Sequence, residues 1–127
     1  MSRKTIATTA APAAIGPYSQ AITYNGLLFC SGQIPLDPVS GELVGEDPAA
    51  QAQQCLSNLQ ALCAAAGTEL ARAVKVTVYL ADMASFAVVN EVYAGFFPSE
   101  PPARVAIAAA ALPKGALVEI DAIVAVD

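Results

Sequence analysis

The sequence predicts an α+β domain: one mixed six-stranded sheet with two helices on one face. Three observations carry this. β-rich apolar runs occur at six places, two stretches have helical period, and the order is β-β-β-α-β-α-β-β. Neither an internal repeat nor a linker interrupts residues 1–127, so the chain reads as a single domain. At this length a core forms without disulfide or metal staples.

Thr5 to Thr8 reads as a short edge strand, and Ala11 to Tyr18, with Pro12, Gly16 and Pro17, as a loop. Ala21–Tyr24 and Leu27–Ser31 flank Asn25-Gly26, the favoured type I′ hairpin pair. Gly32 to Asp47 is rich in turn residues. A helix is expected from Asp47 as N-cap and Pro48 as its first residue. Ala52, Cys55, Leu56, Leu59, Leu62, Cys63 and Ala66 share one face, and Gly67 supplies the left-handed stop. Val74–Leu80 alternates as a strand does. A second helix is expected from near Ser85 to Phe97, with Phe86, Val89, Tyr93, Phe96 and Phe97 as its apolar stripe and Pro98 ending it. Two strands, Ala103–Ala111 and Ala116–Val126, close the chain around Pro113-Lys114-Gly115.

Composition excludes several functions. Six basic and eleven acidic residues give a net charge of −5, which argues against nucleic-acid binding through a basic patch. With no histidine, the commonest general base and metal ligand is missing, and Ser–His–Asp or Cys–His chemistry is impossible. Neither a phosphate-cradling P-loop nor a dinucleotide-binding glycine motif occurs. No apolar stretch reaches the roughly 18 residues of a membrane span, and no secretory h-region opens the chain; a cytoplasmic location is expected. Cys30, Cys55 and Cys63 have no metal-ligand spacing and read as small buried hydrophobes.

One residue resists this reading. Arg104 is the only charge in Pro101–Leu112, and a buried guanidinium needs a partner, either a carboxylate of the protein or an anion from outside. The strand around it is apolar on both faces, which points to a second cover: another copy of the chain, with Arg104 near the seam. Glu119 is the other candidate, flanked by Val118 and Ile120. It could simply neutralise Arg104. A plain hairpin about Lys114, however, would hold the two on the order of 17 Å apart along the strands. Taken alone, Tyr18 reads as core or turn packing, Ser31-Gly32 as a strand end and turn, and Asn90 as a solvated or capping residue. An Arg that clamps a carboxylate and a Glu that activates water would suit hydrolysis of an already reactive small acid.

These residues belong to a longer pattern: Ala13–Gln20 (AAIGPYSQ), Ser31–Pro35 (SGQIP), Ala50-Gln51-Ala52 through Asn58-Leu59, and Ala65-Ala66-Gly67. It continues with Val74–Leu80, Phe86–Asn90, Pro102-Ala103-Arg104, Leu112-Pro113 and Val118-Glu119-Ile120. With these motifs in this order over nearly its whole length, the chain resembles the RidA (YjgF) family. The resemblance implies a chorismate-mutase-like fold in a homotrimer with ligand clefts between subunits. It also implies a last strand lying between the third and fourth, which makes the hairpin distance inapplicable. The implied activity is hydrolysis of 2-iminobutanoate and 2-iminopropanoate, or their enamines, to 2-oxo acids and ammonia, without metal or other cofactor. Carried over by position, Arg104 binds the substrate carboxylate and Glu119 holds and activates water. Tyr18, Ser31, Gly32 and Asn90 line the cleft, and the carbonyl of Ala106 contacts the imine nitrogen. Ala106, Ala108 and Ala111 depart from many archetypal members of the family, which carry Cys at the first and charged or polar residues at the others. Two other readings stand beside the deaminase. One is a non-enzymatic trimer that binds small carboxylic acids; the other is an endoribonuclease, which the net charge opposes.

Overall fold

The computed structural model describes residues 2–127. Strands β1 (Lys4–Ile6), β2 (Ala21–Tyr24) and β3 (Leu27–Gln33) form an antiparallel run. Asn25 and Gly26 turn β2 into β3 with φ of 52° and 80°, the two positive angles of a type I′ turn. Helix α1 (Pro48–Ala65), β4 (Ala73–Leu80), helix α2 (Phe86–Phe96), β5 (Ala103–Ala108) and β6 (Val118–Ala125) follow.

Local chemistry sets the ends of α1. The Asp47 carboxylate accepts a hydrogen bond from Ala50 N–H at 2.8 Å, and Pro48 opens the first turn. At the other end Gly67 takes a φ of 77°, while Thr68 N–H donates to the Cys63 carbonyl and Gly67 N–H to the Ala64 carbonyl. These two bonds close the helix in a Schellman motif. Strand β5 is shorter than the sequence suggests. Ala109 N–H still donates to Leu80, the last residue of β4, and beyond it the neighbouring strand has run out.

The strand order is β1-β2-β3-β6-β4-β5. Thus β6 enters the middle, antiparallel to both β3 and β4, and β5 lies parallel to β4 at the edge. The two closing strands are not neighbours. The pattern along β6 accounts for its place: Val118, Ile120, Ala122 and Val124 are each at most 2% exposed and alternate with half-buried residues. Such a strand suits a position paired on both edges and packed on one face.

Both helices cover the same face. Leu56, Leu59 and Leu62 of α1 meet Val76, Val78 and Leu80 of β4 and the buried residues of β6 in one core. Each fully buried Leu contributes on the order of 1.5–3 kcal/mol. Cys30, Cys55 and Cys63 are free thiols within it. The other face of the sheet is open. Phe29, Val105 and Ile107 lie there, exposed at 41%, 41% and 45%. Among the described residues, no helix is long and apolar enough to cross a membrane.

Candidate active site

Glu119 lies on β6 between buried Val118 and Ile120, so its side chain rises from the open face. It borders a cavity of about 490 Å³ that Tyr18, Ser31, Gly32 and Lys114 also line. Pairing of β3 with β6 shifts register between Cys30 and Gln33, and this irregularity brings Ser31 and Gly32 beside the carboxylate. Gly32 leaves room for the carboxylate where it stands: a Cβ built there collides with Glu119 Oε2, the end of a flexible side chain. Burial raises the Glu119 pKa above its ordinary value, and the neighbouring Asp121 charge adds to the shift. Asp121 itself accepts a 2.9 Å hydrogen bond from the Tyr79 hydroxyl.

The wall carrying Tyr18 is pinned by polar groups. Ser31 Oγ donates to the Ser19 carbonyl at 2.6 Å, and Ser31 N–H donates to the Gln20 carbonyl at 3.0 Å. The buried Gln20 carboxamide accepts from Thr8 N–H at 2.7 Å and donates to the carbonyls of Thr8, Ala11 and Pro12. Tyr18 remains 51% exposed.

Arg104 occupies β5 opposite Val76, a core residue, and therefore emerges on the helix-covered face. The chain itself leaves it exposed, so the desolvation that would force a carboxylate partner does not arise within one copy. Its Nη1 donates to Asn90 Oδ1 at 2.7 Å. The guanidinium carbon stands 4.8 Å from the Tyr93 ring centroid and 5.4 Å from that of Phe86. Ala106, two residues on and opposite Val78, shares this face and a small void with Phe86, Asn90 and Arg104.

One chain thus holds two separate groups. Tyr18, Ser31, Gly32 and Glu119 share one cavity; Arg104, Asn90 and Ala106 cluster under α2. Glu119 pairs with Tyr79 and Arg104 with Val76, three residues apart on β4 and on opposite faces. Their Cα atoms are about 14 Å apart from strand rise and spacing alone. Neutralisation of Arg104 by Glu119 does not occur in the chain; among the described residues the one ion pair is Arg72–Asp127. Among the described residues, no cluster of three or more acidic, Cys or His residues is placed to hold a metal.

Sequence reasoning missed the amides that brace this region. Gln51 accepts from Leu117 N–H at 2.7 Å and donates to the Gly45 carbonyl at 3.1 Å. Asn58 donates to the Leu36 carbonyl at 3.1 Å. Both are nearly fully buried, in phase with Cys55 and Leu62. An amide at a core phase of a helix was the available signal.

Comparison with known proteins shows the family and the fold. The family model described as Endoribonuclease L-PSP matches residues 8–126. A RutC family protein of Sinorhizobium fredii is 54% identical over 94% of each chain. The 2-iminobutanoate/2-iminopropanoate deaminase of Mus musculus is 51% identical over 95% of this chain and 90% of its own. The crystal structure of the YjgF gene product from E. coli superposes with a TM-score of 0.91, at 45% identity and with 96% of this chain and 98% of that one covered. The chain belongs to the Endoribonuclease L-PSP family, the RidA/YjgF/RutC proteins.

Proposed function

We propose that this protein hydrolyses reactive 2-imino and enamino acids, 2-iminobutanoate and 2-iminopropanoate among them, to 2-oxo acids and ammonia. The observation that carries the reading is the half-buried Glu119, its pKa raised, facing a cavity with Tyr18, Ser31 and Gly32. A carboxylate so held is a competent base for water. Relatives at about half identity named as deaminases of these imines support the substrate class.

In the proposed reaction Arg104 clamps the substrate carboxylate with its fork. The protonated imine carbon is attacked by a water whose proton passes to Glu119. The resulting carbinolamine takes that proton on nitrogen; its C–N bond then breaks to release ammonia while the hydroxyl proton passes back to the Glu119 carboxylate, leaving the 2-oxo acid. Asn90 orients Arg104, and the Ala106 carbonyl receives the imine N–H.

Because Arg104 and Glu119 face opposite sides of one sheet, the proposed site is shared between copies, one giving Arg104 and the next Glu119. Phe29, Val105 and Ile107 supply an apolar open face for such contact. A homotrimer is the assembly proposed; light scattering should return about three times the 12.9 kDa chain mass.

The test generates imines in situ with an amino-acid oxidase and follows their decay. Wild type should accelerate it and Arg104→Ala should not; full activity in Arg104→Ala would sink the mechanism. Arg104→Lys should also be poor, since a point charge cannot reproduce the bidentate fork. Glu119→Gln addresses the non-enzymatic alternative. Loss of turnover with retained 2-oxobutanoate binding supports the enzyme, whereas binding by a wild type without turnover supports the carboxylate-binding trimer.

A further inference from the structure

Helix α2 presents Phe86, Asn90 and Tyr93 at i, i+4 and i+7, a single helical face, and all three touch Arg104. The arrangement answers a mechanical problem. Arg104 stands on the edge strand β5 and is exposed, and an Arg side chain left free samples many rotamers. A fork that must meet a small carboxylate in one orientation loses affinity if it has to be ordered on binding.

Each contact removes a different freedom. The rings of Tyr93 and Phe86, 4.8 and 5.4 Å from the guanidinium carbon, restrict where the planar group sits. Asn90 Oδ1, on Nη1 at 2.7 Å, restricts its rotation within that plane. The Nε–Nη2 edge makes no bond to the described residues and is left for a bidentate ligand. Tyr93 is itself immobilised, 5% exposed with its ring 4.6 Å from that of Phe97. Its hydroxyl, though buried, bonds to no described group. Its contribution therefore comes from the ring.

We propose that Tyr93, assisted by Phe86, is a positioning residue that holds Arg104 with its Nε–Nη2 edge free for the carboxylate. The kinetic consequence rests on the proposed imine hydrolysis; the positioning itself does not. Ala106 borders the same group, lining with Phe86, Asn90 and Tyr93 the small void beside Arg104.

Two readouts test this. The chain has three arginines, Arg3, Arg72 and Arg104, so the ¹⁵Nε spectrum is simple and Arg104 is identified with Arg104→Lys. In wild type and Tyr93→Phe the Arg104 Nε–H should be rigid and shifted by the rings. In Tyr93→Leu it should move to the flexible position of an exposed arginine. Phe86 is only half-buried, so Phe86→Leu keeps the fold even if Tyr93→Leu disturbs α2, and should give the same change in weaker form. In the imine assay Tyr93→Leu should raise KM about three- to tenfold with kcat altered less than about threefold, and Tyr93→Phe should restore KM. An Arg104 Nε–H equally rigid in both Leu variants overturns the proposal. So does a Tyr93→Phe as impaired as Tyr93→Leu, since the hydroxyl would then act directly. If wild type turns over no imine, the functional reading fails and the nitrogen spectrum alone decides the positioning.

Discussion

At Gly32 the backbone passes so close to the Glu119 carboxylate that any side chain must displace it. The atom displaced is the end of a flexible chain, so the fold should absorb a methyl group while the base moves. Gly32→Ala is therefore expected to unfold within about 1 kcal/mol of wild type but to lose on the order of 10²-fold in kcat, since catalytic geometry tolerates little displacement. Denaturant titration and imine decay measure the two separately. Glu119 also sets the pH response. Its folded pKa lies above the ordinary 4.5, first through burial and then through Asp121. The base form is the carboxylate, so turnover should fall as pH drops through a midpoint above 4.5, and Asp121→Asn should move that midpoint down. The linkage sign runs the other way for stability. A carboxyl whose folded pKa is raised favours the fold at low pH and disfavours it as pH rises through that pKa. Glu119→Gln should accordingly raise Tm at neutral pH while abolishing turnover.

At the scale of elements, α1 does more than cover the sheet. Gln51 reaches Leu117 at the entry to β6, two residues before Glu119, and Asn58 holds Leu36 at the rim of the same cavity. Gln51→Leu should leave the Leu117 N–H unpaired, cost about 1–3 kcal/mol in urea unfolding and depress kcat by loosening Glu119. The elements themselves were legible because each carries local signals: the Asn25-Gly26 turn, the Asp47 cap and the Gly67 stop. Local signals also explain the errors. The sequence around β5 remains apolar to Ala111, yet the strand ends where β4 does, because pairing decides strand length. Phe86 and Tyr93 do join the core stripe that the phase of α2 indicates, but nothing local says that they also neighbour the guanidinium of a strand added later in the chain.

For the whole molecule the decisive fact is that Arg104 and Glu119 point to opposite sides of the sheet. In the proposed trimer this makes catalysis a property of contacts between copies. Arg104→Ala and Glu119→Gln, each inactive alone, should regain activity when unfolded and refolded together. With random mixing, about a quarter of the shared sites carry both intact residues. Mixtures that stay inactive, despite mass spectrometry showing mixed trimers, would place both residues' work within one chain or outside the reaction. Ile107→Lys on the open face should lower the measured mass and activity together, because it buries a charge wherever copies meet.

By itself the sequence determined the elements, their caps and turns, and the residues worth testing, because helix ends, hairpin turns and alternation depend on neighbours within a few positions. It also identified Arg104 as a charge out of place and, through its motifs, the family. The tertiary structure decided that β6 runs between β3 and β4, that Gly32 makes room for Glu119, and that three residues of α2 hold Arg104. It also decided that the two principal candidates are separated within one chain. Those outcomes depend on strand order and register, which are set by how the apolar faces of distant segments bury one another, and so no short stretch of sequence carries them.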